Sequence, residues 1–254
     1  MKPGTASRTA QRVAAHRLTF ERVPFPSGDP DAEERLARDV AGRLRPRSSE
    51  GMVKYLAART SFFDRVVVNA LDREVTQVVV AGAGYDGRSL RYAKPGVKWF
   101  EVDHPDTQED KRMRLRRLAI ETPDVTFVPA EFGDRRFAAA ILERGYDPHK
   151  PSLFLCEGVA VYLDPPVLES LLREMRQVAC SGSRLAISLS LAGVDSARRT
   201  RFQLAVAAMG EPARNTLTVD DADALLTTTG WRAVTRAPES HVRLRLGFVV
   251  AQPI

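Results

Sequence analysis

Cysteine is scarce: Cys156 and Cys180 are the two in 254 residues, and neither stands in a Cys-x-x-Cys or Cys/His spacing. That argues against a zinc site and against a disulfide-stapled fold. Cys156 falls within an apolar run and reads as a buried thiol rather than a nucleophile. No run of apolar residues reaches membrane-spanning length, so no transmembrane helix is expected. The first residues, MKPGTASRTAQRVAAHRLTFER, carry charge throughout and lack an apolar leader segment. A secretory signal is therefore not expected, and the cytoplasm is the default location. Histidine is also rare, with His16, His104, His149 and His241 the four present. None falls in a catalytic motif, and each reads first as structural or exposed. Internal repeats and Gly/Ser-rich linkers are absent from the sequence.

What remains has the balance of a soluble globular protein, with 44% apolar and 28% charged residues. The length allows one α/β domain with a good core and an appendage. A net charge of +6 permits anionic partners without choosing among nucleic acid, membrane surface and small molecules. The basic clusters at 35–47 and 111–117 read as solvated helix faces rather than a nucleic-acid patch.

Residues 5–72 read as helical, with helices over Thr9–Phe20, Asp31–Leu44 and 51–72, the last opened by a Ser49/Glu50 cap. We expect residues 1–74 to form a helical extension and residues 75–254 the core. From Val75 onward strands and helices alternate. Strands are expected at Val78–Ala81, Val97–Val102, Val125–Val128, Ser152–Cys156, Arg184–Ser190, Trp231–Thr235 and Val242–Ala251. Helices are expected from Pro105 to about Ile120 and over Asp134–Arg144, Pro165–Ala179, 195–209 and 219–229. Such alternation predicts an α/β fold with a mainly parallel seven-stranded sheet flanked by helices. The partial alternation of the last strand marks it as an edge or antiparallel strand.

The most informative stretch is QVVVAGAGYDGRSLRYAKPGVKWFEVD, residues 77–103. An apolar strand runs into closely spaced glycines, Gly82-x-Gly84-x-x-Gly87, and a second strand ends on Glu101 and Asp103. Glycines at that point let a nucleotide-like ligand lie against bare backbone, and an acid about 20 residues on can accept from ribose hydroxyls. The spacing satisfies the dinucleotide fingerprint, so a nicotinamide cofactor competes. Against it, Asp86 would face an anionic pyrophosphate at close range. S-adenosylmethionine carries a sulfonium, an ammonium, one carboxylate and a ribose, and removes that objection.

Four ordered segments carry a more specific likeness: Ala58-Arg59-Thr60-Ser61-Phe62-Phe63-Asp64; Gly82-Ala83-Gly84-Tyr85-Asp86-Gly87-Arg88; Phe100-Glu101-Val102-Asp103-His104-Pro105; and Glu157-Gly158-Val159-Ala160-Val161-Tyr162-Leu163. With these the chain resembles the leucine carboxyl methyltransferase-like family of class I S-adenosylmethionine-dependent methyltransferases, over roughly residues 5–190. The resemblance implies a Rossmann-like core that binds S-adenosyl-L-methionine. It implies that Arg59 pairs with the cofactor's carboxylate, that Gly82 and Gly84 give backbone access, and that Asp103 holds the ribose. Glu157 then contacts the methionine moiety. Where the family commonly has Asp beside the adenine this chain has Glu131, a departure, followed by Phe132 as a candidate stacking ring.

Methyl transfer from a sulfonium is a direct displacement that asks chiefly for alignment and exclusion of water. A carboxylic acid of pKa near ~3.5 is already ionised, whereas a phenol of pKa about 10 needs a proton acceptor. The missing base motif therefore favours a carboxylate acceptor, of a small molecule or a peptide, over a natural-product hydroxyl. On the acceptor side Tyr162 and His16 are candidates, with Phe20, Phe25 and Phe62 as pocket residues beneath capping N-terminal helices. The expectation is an O-methyltransferase. The alternatives are an NAD(P)-dependent oxidoreductase and a non-catalytic nucleotide-binding module, the latter kept open by Glu131.

Overall fold

The computed structural model describes residues 6–42, 48–73, 75–192, 213–234 and 247–254. Its centre is a seven-stranded sheet in the order β3-β2-β1-β4-β5-β7-β6. The strands are β1 (Gln77–Ala81), β2 (Lys98–Asp103), β3 (Val125–Pro129), β4 (Ser152–Cys156), β5 (Arg184–Ser188), β6 (Trp231–Ala233) and β7 (Phe248–Pro253). The first five run parallel. Strand β7 is antiparallel to both β5 and β6. The last strand is thus antiparallel as its alternation predicts, but it lies inside the sheet, and the three-residue β6 takes the edge. The expected helix 195–209, residues 242–246 of the expected last strand and His241 lie outside the described residues.

Strand β1 shows why both faces are covered. Val78 and Val80 join the core on one face, and Val79 and Ala81 join the core on the other. On the first face α3 (Glu50–Asp72) lays Phe62, Phe63, Val67 and Leu71 against Trp99, Leu153, Leu155 and Phe248. On the second lie α6 (Phe137–Leu142), α7 (Pro165–Gln177) and α8 (Val219–Thr228), around Phe100, Phe154, Leu185 and Trp231. Each fully buried apolar side chain of this kind contributes roughly 1.5–3 kcal/mol.

The local signals place the helix starts well. Ser7, Asp29 and Ser49 each accept a backbone N–H at the start of α1 (Arg8–Arg17), α2 (Pro30–Ala41) and α3. His104 does the same for α5 (Pro105–Arg117), through Nδ1. Between β1 and β2 the short α4 (Arg88–Arg91) follows the glycine turn. One helix departs from expectation: Asp134–Arg144 divides into a single turn at Phe132–Asp134 and α6, because Arg135 adopts a left-handed φ of 52°.

Strand order reverses between β1 and β4, so the crevice at their carboxyl ends is where ligands bind on such a sheet. A third apolar cluster, with Ala14, Leu36, Val40, Tyr85 and Leu115, packs α1 and α2 beside that crevice.

Candidate active site

The glycine turn leaves β1 with Gly82 at φ 66° and Gly84 at φ 49°, a conformation that favours glycine. A side chain on Gly82 would collide with Val159, and one on Gly84 would meet Ala10 Cβ of α1 at 2.9 Å. The N-terminal helix therefore lies directly on the turn. Gly84 N–H donates to Asp103 Oδ2 at the end of β2, and His104 N–H donates to Asp103 Oδ1 at 2.6 Å. Burial pushes the Asp103 carboxyl up to about 6, against the pull of those two N–H groups. Its neighbour Glu101 is spoken for, held by Ser89 and Lys111. Of the two acids at the end of β2, Asp103 is the one that faces the turn.

Glu157, just beyond β4, sits in a different setting. Arg59 Nε donates to its Oε1 at 2.9 Å, and Arg17 Nη2 donates to its Oε2 at 3.0 Å. Arg88 donates to the same Oε2. Burial raises the Glu157 carboxyl, but the Arg17, Arg88 and Arg59 charges outweigh it and hold the group well below the usual range. Arg59 thus pairs with a side-chain carboxylate here, and it also lies 5.8 Å from the centre of the Tyr55 ring. Tyr162 stands within electrostatic reach of Arg59. The structure brings Arg59, Glu157, Tyr162 and the glycine turn together.

Other expected residues are placed apart from this group. Glu131 is exposed, with Oε1 3.4 Å from His104 Nε2, and Phe132 leans on Phe137 with ring centres 6.3 Å apart. His16 is buried; its Nε2 bonds to Ser48 Oγ at 2.9 Å and its ring stacks on Phe20. Burial, aided by Arg12, lowers its pKa. Phe25 packs edge-on against Tyr92, and Phe62 packs on Phe63 and Phe248 in the core. Phe20, Phe25 and Phe62 therefore do not share one pocket. Cys156 is fully buried, and burial pushes its thiol up to about 12. The basic segments near α2 and α5 are cross-linked to acids, as in Arg114 and Arg117 with Asp39.

Asp86 requires a correction. It accepts from Arg88 N–H at 2.9 Å and from Arg88 Nη1 at 2.6 Å, and Arg17 Nη2 lies 3.3 Å away. Its charge is already paired, so repulsion of a pyrophosphate at this position does not separate the two cofactors.

These contacts belong to a network that no single motif revealed. Arg22 joins Asp64 and Glu33, Arg88 joins Asp64, and Arg91 joins Glu33. Burial works against the Asp64 carboxyl, but Arg88 and Arg22 lower its pKa. The signal was present as charged residues set among apolar ones, Asp64 after Phe62-Phe63 and Arg88 after the last glycine. A linear pattern does not show which of them meet.

The family model for leucine carboxyl methyltransferase matches residues 12–176. The chain belongs to that family. A relative from Mycolicibacterium smegmatis, named "Putative S-adenosyl-L-methionine-dependent methyltransferase", is 36% identical over 200 residues, covering 70% of this chain and 65% of its own. This leucine carboxyl methyltransferase family member thus spans about two thirds of the length of that relative. Among solved structures, a DUF574 family protein from Streptomyces avermitilis aligns at TM-score 0.65 and 16% identity, over 98% of each chain. A Thermobifida fusca protein titled a "putative methyltransferase" aligns at TM-score 0.67 and 15% identity, over 99% of this chain and 96% of that one. At such identities these two likenesses speak for the fold, a Rossmann-like α/β methyltransferase sheet. Among the described residues no helix is long and apolar enough to cross a membrane.

Proposed function

We propose that the protein is an S-adenosylmethionine-dependent O-methyltransferase whose acceptor is a carboxylate, on a small molecule or a peptide. The observation that carries the cofactor assignment is the Gly84–Asp103 pair. Asp103 meets two backbone N–H groups and keeps lone pairs for ribose hydroxyls, beside a turn whose backbone is bare at Gly82 and Gly84. The residues fit the group. Asp103 would hold the ribose, Gly82 and Gly84 would flank the amino-acid end, and Arg59 and Glu157 offer it one charge of each sign. Glu131 and Phe132 would stand on the adenine side.

When bound, S-adenosylmethionine supplies a methyl carbon on a positively charged sulfur that leaves as a neutral thioether. The chain's own part is to bind, orient and exclude water. Helix α1 covers the turn through Ala10 and Arg17 and screens the crevice from solvent. In this reading α1 and α2 cap the crevice, while α3 packs on the sheet face as part of the core.

The described histidines support a carboxylate over a hydroxyl. His16 is engaged with Ser48, His104 caps α5, and His149 is exposed. None is free at the glycine turn to take a proton, and a carboxylate needs none taken. The test has two parts. Calorimetric titration with S-adenosylmethionine, S-adenosylhomocysteine and NAD(P)H should show saturable binding of the first two, lost in Asp103→Ala. Transfer of a labelled methyl to carboxylic acids and C-terminal peptides should give a product that mild alkali cleaves to methanol. An alkali-stable product would move the acceptor to a hydroxyl, and binding of the nicotinamide alone would end the methyltransferase reading.

A further inference from the structure

Lysine is seldom fully buried unless it is paired. Lys111 of α5 is 2% exposed, and its partner Glu101 of β2 is equally enclosed. Thr107, Gln108, Lys111 and Leu115 form the buried face of α5. Lys111 Nζ donates to Glu101 Oε2 at 2.5 Å and to the backbone carbonyl of Asp86 at 2.6 Å. Gln108 Nε2, on the preceding turn of the helix, donates to Glu101 O at 2.8 Å. Ser89 Oγ donates to the other carboxylate oxygen of Glu101 at 2.6 Å.

The Asp86 carbonyl belongs to the glycine turn, two residues after Gly84, whose N–H donates to Asp103. Glu101 and Asp103 are two apart on β2, so their side chains share a face. The turn is therefore fastened to the end of β2 twice, directly through Gly84 and Asp103 and again through Asp86, Lys111 and Glu101. Replacing a buried ion pair by uncharged groups of similar volume is often neutral for stability, so stability does not account for a lysine here. Among the charged and titratable groups around Asp103, Lys111 and His104 both favour its ionised form. Asp106 and Glu131 face His104, and Asp86 is paired with Arg88 and Arg17.

We propose that Lys111 is the positioning residue of the ribose subsite: it sets the glycine turn against Asp103 and presents a positive charge to the Asp103 carboxylate. In this role Lys111 acts through Asp86 O and Asp103 and does not itself contact the methyl donor. The role rests on the reading of Asp103 as the ribose acid, and adds to it the group that holds that acid in place and in charge.

The experiment compares the full chain with Lys111→Met, Glu101→Gln and the two combined, which puts a neutral pair of similar volume in place of the ion pair. Calorimetry near neutral pH gives the affinity for S-adenosylhomocysteine. NMR of isotope-labelled aspartate side chains follows the Asp103 carboxyl in the free protein, its signal identified by its loss in Asp103→Asn. The double variant should keep the wild-type urea midpoint yet bind S-adenosylhomocysteine roughly tenfold more weakly, because the second fastening of the turn is gone. The Asp103 titration should move upward by about one pH unit in Lys111→Met and downward in Glu101→Gln. Opposite shifts report charge, which a merely structural role does not produce. Affinity within about twofold of wild type in the double variant, or a titration unmoved in the single variants, would overturn the role. So would a loss of affinity that only follows a lowered urea midpoint. Should Lys111→Met fail to fold, Glu101→Gln and the double variant decide. Should the wild type bind no S-adenosylhomocysteine, the methyl-donor reading fails by itself, and the titration in the free protein still decides whether Lys111 governs Asp103.

Discussion

Asp103 and Glu157 stand at the carboxyl ends of β2 and β4, the two parallel strands that flank β1, and their surroundings drive them in opposite directions. Asp103 is met by two backbone N–H groups, and burial pushes it up to about 6. Glu157 is met by three guanidinium groups, which overcome burial and hold it well below its usual range. One side of the crevice is organised by backbone, the other by side-chain charge. The backbone side can be read from a glycine spacing. The charged side depends on segments far apart in the chain. It also follows that the first acid can change protonation near neutral pH while the second cannot.

The largest effect should come from breaking the charged side. Glu157→Ala leaves three buried guanidinium groups without a shared partner, a change that costs about 3–5 kcal/mol. Urea unfolding should show that loss, and binding of S-adenosylhomocysteine should disappear with it.

Next in size is the backbone side. Asp103→Asn keeps the shape but removes the charge from the ribose hydrogen bonds. Affinity for S-adenosylhomocysteine should fall by roughly 10- to 100-fold, since bonds to a charged group are worth about 1.5–3 kcal/mol. At pH 4, where Asp103 is still protonated in the folded chain, little change in the urea midpoint should accompany it.

The comparison sharpens with pH. Asp103 has a folded pKa above its unfolded value of 3.8, so its contribution to stability is fully present below 3.8 and is lost as pH rises through about 6. Glu157 has a folded pKa below its unfolded value of 4.5, so its contribution is present above 4.5 and is lost as pH falls through the lower folded value. Unfolding curves of wild type and Asp103→Asn between pH 4 and 7 should therefore diverge, with the variant relatively more stable toward pH 7. Wild-type affinity for S-adenosylhomocysteine should weaken below pH 6, and that dependence should be absent in Asp103→Asn.

The smallest effect belongs to Glu131. It is exposed and stands 3.4 Å from His104, so Glu131→Gln should change calorimetric affinity by less than about threefold.

Much of this was legible in the sequence because local chemistry sufficed. The Gly82-x-Gly84 turn, the Asp103 strand end, the buried Ser152–Cys156 strand and the Ser49 cap are each set by neighbours a few residues away. What was not legible depended on pairing at a distance. Asp86 reads as a charge facing a ligand until Arg17 and Arg88 are seen around it. Phe25 and Phe62 read as pocket residues until the sheet face takes them into its core. The antiparallel β7 was signalled by its alternation, but its place between β5 and β6 was not, since pattern reports a strand's faces and not its neighbours.

The bond from Arg17 to Glu157 spans 140 residues of chain. Contacts of such long range form only after a large loop has closed, and they belong to the late events of folding. The glycine turn and its helix can assemble early from local contacts, yet the crevice they serve lacks a wall until the first helix finds the fourth strand. Ligand binding during refolding should therefore recover with the slowest phase, which makes the bound cofactor a clock for completion of the native state.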